Sequence, residues 1–155
     1  LGRISGGLYV VTASQGDGES LRRSAMVASW VSQASFSPPG LTVAVAKDRA
    51  IEALMQVGDQ FVLNVLRQDN HQQLLRHFLK RFPPGADRFE GVNVLNGAAD
   101  GGPVLSDALA YLGCRVEQRM EGPDHWIIYA VVDQGNVADA EANTAVHHRK
   151  VGNHY

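Results

Sequence analysis

Cysteine is almost missing: Cys114 stands alone in 155 residues, so no internal disulfide can form and nothing points to an oxidising compartment. Long hydrophobic runs are missing too. The apolar stretches are strand-sized, Leu41 to Ala46 being typical, where a membrane span needs roughly 18 residues or more. No basic segment followed by a hydrophobic one leads the chain, so a cytoplasmic location without membrane contact is expected. Charge of neither sign is in excess. Fourteen Lys and Arg face 16 Asp and Glu, for a net charge of -2, so a general nucleic-acid surface has no electrostatic support and any anion site must be local.

Several catalytic templates are absent as well. There is no G-x-G-x-x-G, and the glycine cluster Gly97 to Gly102 neither follows a clear strand nor opens a helix, which argues against a Rossmann dinucleotide site. No Walker A motif, G-x-S-x-G, H-E-x-x-H or C-x-x-C occurs, so the common hydrolase and zinc templates fail. Cys114 falls within an alternating strand pattern and reads as a core thiol. His147, His148 and His154 cluster without a carboxylate spaced to join them, which fits a solvent or interface role better than metal binding. His71 and His77, six apart, do not share a helical face.

What is present suits one folded domain over residues 1–155. Hydrophobic residues make up 45% and charged residues 19%, enough apolar material for a single core. Leu1 is not an initiator Met, which suggests a piece of something longer or an omitted start. Gly6 to Ser14 reads as a strand buried on both faces, followed by a turn at Gln15 to Gly18. Arg22 to Trp30 and Val31 to Phe36 read as strands stopped by Ser37-Pro38-Pro39-Gly40. Leu41 to Ala46 and Gln60 to Leu66 are further strands, with a short helical pattern between them capped at Asp48. Asp69 and Gln72 suggest a capping box for a helix from about Asn70 to Leu79.

Residues 81–103 are broken by Pro83, Pro84 and glycines, a long connection expected to be functional or mobile. Leu109 to Met120 alternates, placing Cys114, Val116, Gln118 and Met120 on one face and Arg115, Glu117 and Arg119 on the other. Glu121 to Asp124 forms a turn, and Trp126 to Val132 returns as a strand with His125 at the hairpin mouth. Many strands and few helices favour an antiparallel β barrel or sandwich.

Ala25 to Pro39 (AMVASWVSQASFSPP), together with Asn64-Val65-Leu66, Arg88-Phe89-Glu90-Gly91, Gly102-Pro103-Val104-Leu105, Ala108 to Cys114 and Asp124-His125-Trp126, resembles the flavin reductase-like, FMN-binding split-barrel family. The likeness runs in order along nearly the whole chain. Residues 1–13 and 146–155 resemble more narrowly the C-terminal flavin reductase domain of photosynthetic-type flavodiiron proteins. The resemblance implies a mainly β, six-stranded antiparallel Greek-key split barrel with flanking helices, usually a homodimer with flavin near the interface. It also implies hydride exchange between NAD(P)H and FMN, with FAD as an alternative flavin. The preceding flavodiiron core domains of the parent chain would reduce oxygen to water. Two other functions fit the same residues: an FMN-binding relay fed by ferredoxin or another carrier, and a flavin-free dimerisation module.

A flavin needs a slot for its ring, partners for its pyrimidine edge and ribityl chain, and a positive or N–H-rich pocket for its phosphate. Ala28, Ser29, Trp30, Val31, Ser32, Ala34 and Ser35 combine hydroxyls with small residues and are assigned to the ring and ribityl chain; an ordinary Ser-rich strand is the plain alternative. Lys47 and Arg49 flank a strand-to-helix junction suited to a phosphate, or are solvated charges. Asn64, an amide in an apolar strand, would contact flavin or satisfy the backbone. The resemblance puts His125 on the nicotinamide side of the flavin, as the one catalytic candidate. Arg149 and Lys150 would meet flavin or donor phosphates, or be a solvated tail.

Overall fold

The computed structural model describes residues 1–149. Its strands are β1 (Gly6–Gly7), β2 (Tyr9–Gln15), β3 (Arg22–Ala28), β4 (Val31–Phe36), β5 (Pro39–Ala46), β6 (Gln60–Val65), β7 (Val94–Leu95), β8 (Val104–Leu105), β9 (Ala110–Glu121), β10 (His125–Val137) and β11 (Val146–His147). One α-helix, α1 (His71–Phe78), and short 3-10 helices at Gly18–Ser20 and Ala50–Leu54 accompany them. A seven-stranded antiparallel sheet in the order β3-β2-β6-β9-β10-β5-β4 forms the mainly β split barrel. The expected six strands become seven because β4 folds back on β5 as a paired edge.

Two clusters of buried side chains explain the sequence pattern. Val11, Ala13, Met26, Val43, Phe61 and Ile128 belong to one; Val10, Ala25, Val27, Leu74, Phe78 and Phe89 belong to the other. Strands β2 and β3 contribute to both, so each is buried on two faces, and this is why their sequences lack polar alternation. Helix α1 fits the 3.6-residue period by burying Leu74 and Phe78. The connection over 81–103 is anchored: Phe89 is 5% exposed, His77 Nε2 meets the Arg88 carbonyl at 2.7 Å, and β7 pairs with β8.

Several local expectations fail for identifiable reasons. The segment read as one strand over 6–14 divides at Leu8. Strand β1 pairs with β11 while β2 pairs with β3 and β6. Trp30 lies just outside β3 rather than ending it. Asp48 does not cap the first short helix after β5; Arg49 holds that position without a side-chain bond. Nor does Asp69 form a capping box. Its carboxylate accepts two hydrogen bonds from Arg67, both 3.0 Å, and Asn70 precedes the helix.

The largest departure is on β9. Tyr129 pairs with Gln118 and Ala130 with Val116, leaving Glu117 as an extra residue in a bulge. An extra residue reverses which face each later side chain takes. Cys114 and Val116 are therefore buried, but Met120 is 64% exposed, and Arg119 turns inward instead. Its guanidinium bonds Glu52 and Gln56 and lies 4.2 Å from the Trp126 ring centroid.

Candidate functional site

Strand β5 supplies the floor of the site by simple alternation. Leu41, Val43 and Val45 point into the core and are buried, whereas Thr42, Ala44 and Ala46 are half-buried on the other face. The small side chains leave room above the sheet. Two clefts open there, of about 590 Å³ and about 580 Å³, sharing Trp30, Ala44 and Arg149 as their common wall.

Trp30 is held by its backbone and left open by its ring. Its carbonyl accepts the Ala44 N–H at 3.0 Å, yet the residue remains 42% exposed. The indole centroid lies 4.8 Å from that of His125, with the ring planes at 47°, and the Arg149 guanidinium carbon lies 5.0 Å from the indole centroid. An aromatic face this open, with a cation and an imidazole against it, presents a surface on which a flat ligand ring can stack.

His125 opens β10 opposite Ala46. Its Nδ1 lies 2.8 Å from Asp124 Oδ1, and that hydrogen bond holds the Asp124 carboxyl below its usual range, with the nearby Lys47 charge assisting. An ionised Asp124 accepts the Nδ1 proton and orients the ring. Lys47 donates to Glu121 Oε1 at 2.7 Å, which depresses the Glu121 carboxyl, and its backbone N–H donates to the Asp124 carbonyl at 3.0 Å. Arg49 is more open: its side chain is 61% exposed and 3.9 Å from Asp48.

The first cleft thus gathers Trp30, Lys47, Arg49, His125 and Arg149. The second gathers Ser29, Trp30, Val31, Ser32 and Arg149, with His147. Ala28 is buried beneath them at the end of β3. Ala34 and Ser35 lie farther along β4, outside both clefts; Ala34 is the extra residue where Gln33 pairs with Leu41 and Ser35 with Gly40.

Asn64 is not brought to the site. It is fully buried; its Nδ2 donates to the Val10 carbonyl and Thr12 Oγ1, each at 3.2 Å, and its Oδ1 accepts the Leu105 N–H at 2.8 Å. This amide ties β2, β6 and β8 together, so the structural alternative describes it. Lys150 and His154 lie outside the described residues.

Sequence reasoning gave no place in the site to Thr42, Ala44 or Asp124, and it assigned His147 a solvent or interface role. Alternating small residues at 42, 44 and 46 were the legible signal for a cleft floor. His147 had none, because its place depends on pairing with Gly6 across almost the whole chain. Burial, then the Arg149 and His148 charges, push its imidazole below the ordinary value. Among the described residues no cluster of three His, Cys, Asp or Glu could hold a metal, and no helix is long and apolar enough to cross a membrane.

The donor set fits a flavin nucleotide: an open aromatic wall, hydroxyls at Ser29 and Ser32, and cations at one end. The family model described as flavin reductase like domain matches residues 1–153. Diflavin flavoprotein A 1 of Synechocystis sp. is 66% identical over 155 residues, which is 100% of this chain and 26% of that protein. The chain spans about a quarter of the length of the curated relatives it matches. Among solved structures, Streptomyces globisporus C-1027 NADH:FAD oxidoreductase SgcE6 aligns with a TM-score of 0.82 at 28% identity, covering 94% of this chain and 82% of that one. The same protein in complex with NAD and FAD fragments aligns with a TM-score of 0.76 at 27% identity, over 94% of this chain and 82% of that chain.

Proposed function

The chain belongs to the flavin reductase like domain family, and from that premise we propose that it holds FMN across the Trp30 clefts and passes electrons from NAD(P)H through it. In a longer parent protein the acceptor is a flavodiiron core that reduces oxygen to water, and the working unit is a homodimer. The observation that carries this reading is the corner where His125 and Arg149 both meet the open Trp30 ring.

Each residue has a physical task. Ser29 and Ser32 offer hydroxyls to the ribityl chain and the pyrimidine edge. Arg49, with Lys47 behind it, neutralises the phosphate. Arg149 places positive charge beside the ring, where reduction adds negative charge. His125, held by Asp124, orients the nicotinamide at near-attack distance. A flavin held by these residues would supply the two-electron redox chemistry itself.

An anaerobic titration of the FMN-loaded chain with NADH and then NADPH, followed by visible absorbance, tests the proposal. Rapid bleaching by either nucleotide is the expected result and names the donor. A bound flavin that stays oxidised transfers the donor role to a ferredoxin-like carrier. A chain that retains no flavin overturns the reading.

A further inference from the structure

The turn that leads into His125 is held from the neighbouring strand. Lys47, just past the end of β5, grips it in two places. Its backbone N–H donates to the Asp124 carbonyl at 3.0 Å, and its ammonium donates to Glu121 Oε1 at 2.7 Å. Glu121 closes β9 and Asp124 immediately precedes β10, so Lys47 braces the turn at both ends. A further bond, from the Gly122 N–H to the His125 carbonyl at 2.8 Å, closes the turn on itself.

The Lys47 ammonium has little freedom to do anything else. It lies 5.5 Å from the Trp126 ring centroid, and its side chain is 34% exposed, against 61% for Arg49. A cation with a carboxylate in hydrogen-bond contact and an aromatic ring beside it is largely committed. Of the two cations at this junction, Arg49 is the one left open to a phosphate.

What the brace governs is the Asp124 carboxylate. That carboxylate is mostly exposed yet sits 2.8 Å from His125 Nδ1, and an exposed pair contributes little when solvent is free to separate it. Its hold on the imidazole therefore depends on the turn. Lys47 fixes the Asp124 backbone, and its charge assists in keeping the carboxyl ionised. With the Nδ1 proton donated to Asp124, the neutral ring keeps Nε2 as its acceptor.

We propose that Glu121 is a positioning residue for the nicotinamide step: by holding the Lys47 ammonium against the turn, it keeps Asp124 bonded to His125. This rests on the task given to His125 in the flavin reading. The opposing assignment makes Glu121 a counter-ion that restrains Lys47 from a phosphate, in which case its loss tightens FMN binding and leaves reduction alone.

Stopped-flow reduction of the FMN-loaded chain by NADH or NADPH decides between them, with Glu121→Gln, His125→Ala and the double variant. Glu121 is at the surface, so the substitution leaves the core untouched. Glu121→Gln slows reduction at saturating donor by about threefold without tightening FMN binding, Glu121→Asp restores part of the rate, and the loss disappears in the His125→Ala background. Lys47→Met moves the acid limb of the rate profile to higher pH, because Asp124 without the neighbouring cation protonates more readily; Asp48, Arg49 and Arg149, which line the same cleft as His125, are unaltered in it. Nitrogen NMR of the flavin-free chain gives a second readout: Glu121→Gln lowers the population of the Nδ1-protonated His125 tautomer. Additive losses in the double variant, tighter FMN binding at an unchanged rate, or an unchanged His125 signal overturns the inference. If neither nicotinamide reduces the flavin in the unaltered chain, the donor step of the flavin reading fails instead, and the NMR signal alone decides whether Glu121 governs His125.

Discussion

His125 and Cys114 show how one residue's surroundings set its chemistry. With Nδ1 engaged by Asp124, His125 has a fixed orientation beside Trp30, which suits the positioning role proposed for it. His125→Ala should slow flavin reduction by about tenfold, with FMN affinity nearly unchanged, as read by stopped-flow absorbance. An unchanged rate and donor affinity remove it from the site. Cys114 is 1% exposed, and burial, aided by the Asp133 charge, pushes its thiol up to about 12. In the unfolded chain it titrates near 8.5. A raised folded value stabilises below the unfolded one, and that stability is lost as pH rises toward 12, by about 1.4 kcal/mol per unit in between. Urea midpoints should therefore fall from pH 9 to 11, and Cys114→Ala should flatten that fall.

At the scale of elements, the bulge at Glu117 matters most because it turns Arg119 inward. Arg119 then joins the β9–β10 hairpin to the short helix over 50–54 through Glu52, and its guanidinium packs on Trp126. Both joined elements border the candidate phosphate residues Lys47 and Arg49. Arg119→Ala should lower stability by about 2 kcal/mol, since it removes charge-assisted bonds from a nearly buried group. The conservative Arg119→Lys should recover only part of this, because an ammonium cannot reproduce the planar fork; thermal melts of the two variants check it.

The same bulge explains what the sequence could and could not reveal. Period-two alternation located β9, β-rich apolar runs located β5 and β10, and the Gly-Pro-Asp turn located the β9–β10 hairpin, because those signals are local. A bulge adds a residue without altering composition, so Met120, expected on the face of Cys114 and Val116, is instead exposed. Asp69 looked like part of a capping box, but a carboxylate near a helix start caps it only if no cation claims it first, and Arg67 does. At the site, the run over 28–32 and the pair at 47 and 49 were legible from hydroxyls, small residues and charge. The approach of His147 and Arg149 was not, since it depends on contacts between the chain's two ends.

Over the whole molecule those ends form a clasp separate from the barrel. Strands β1 and β11 make their own two-stranded sheet, and Gly6 lies so close to Ser29 that an added Cβ would sit 2.5 Å from its carbonyl oxygen. The clasp places His147 and Arg149 over the clefts. Yet the buried clusters end at Ala145, which accepts the Leu8 N–H at 2.8 Å. If the proposed flavin site is right, folding and cofactor grip rest on different parts of the chain. Ending the chain after Ala145 should leave a cooperative melt within a few degrees of the original, because none of the described residues 146–149 is buried. Flavin affinity should drop by at least about tenfold, the weight of one charge-assisted contact. Flavin fluorescence quenching and a melt on the same truncated sample separate the two effects. Unchanged affinity would put the flavin elsewhere than under Arg149, and a lost melt would make the clasp part of the core.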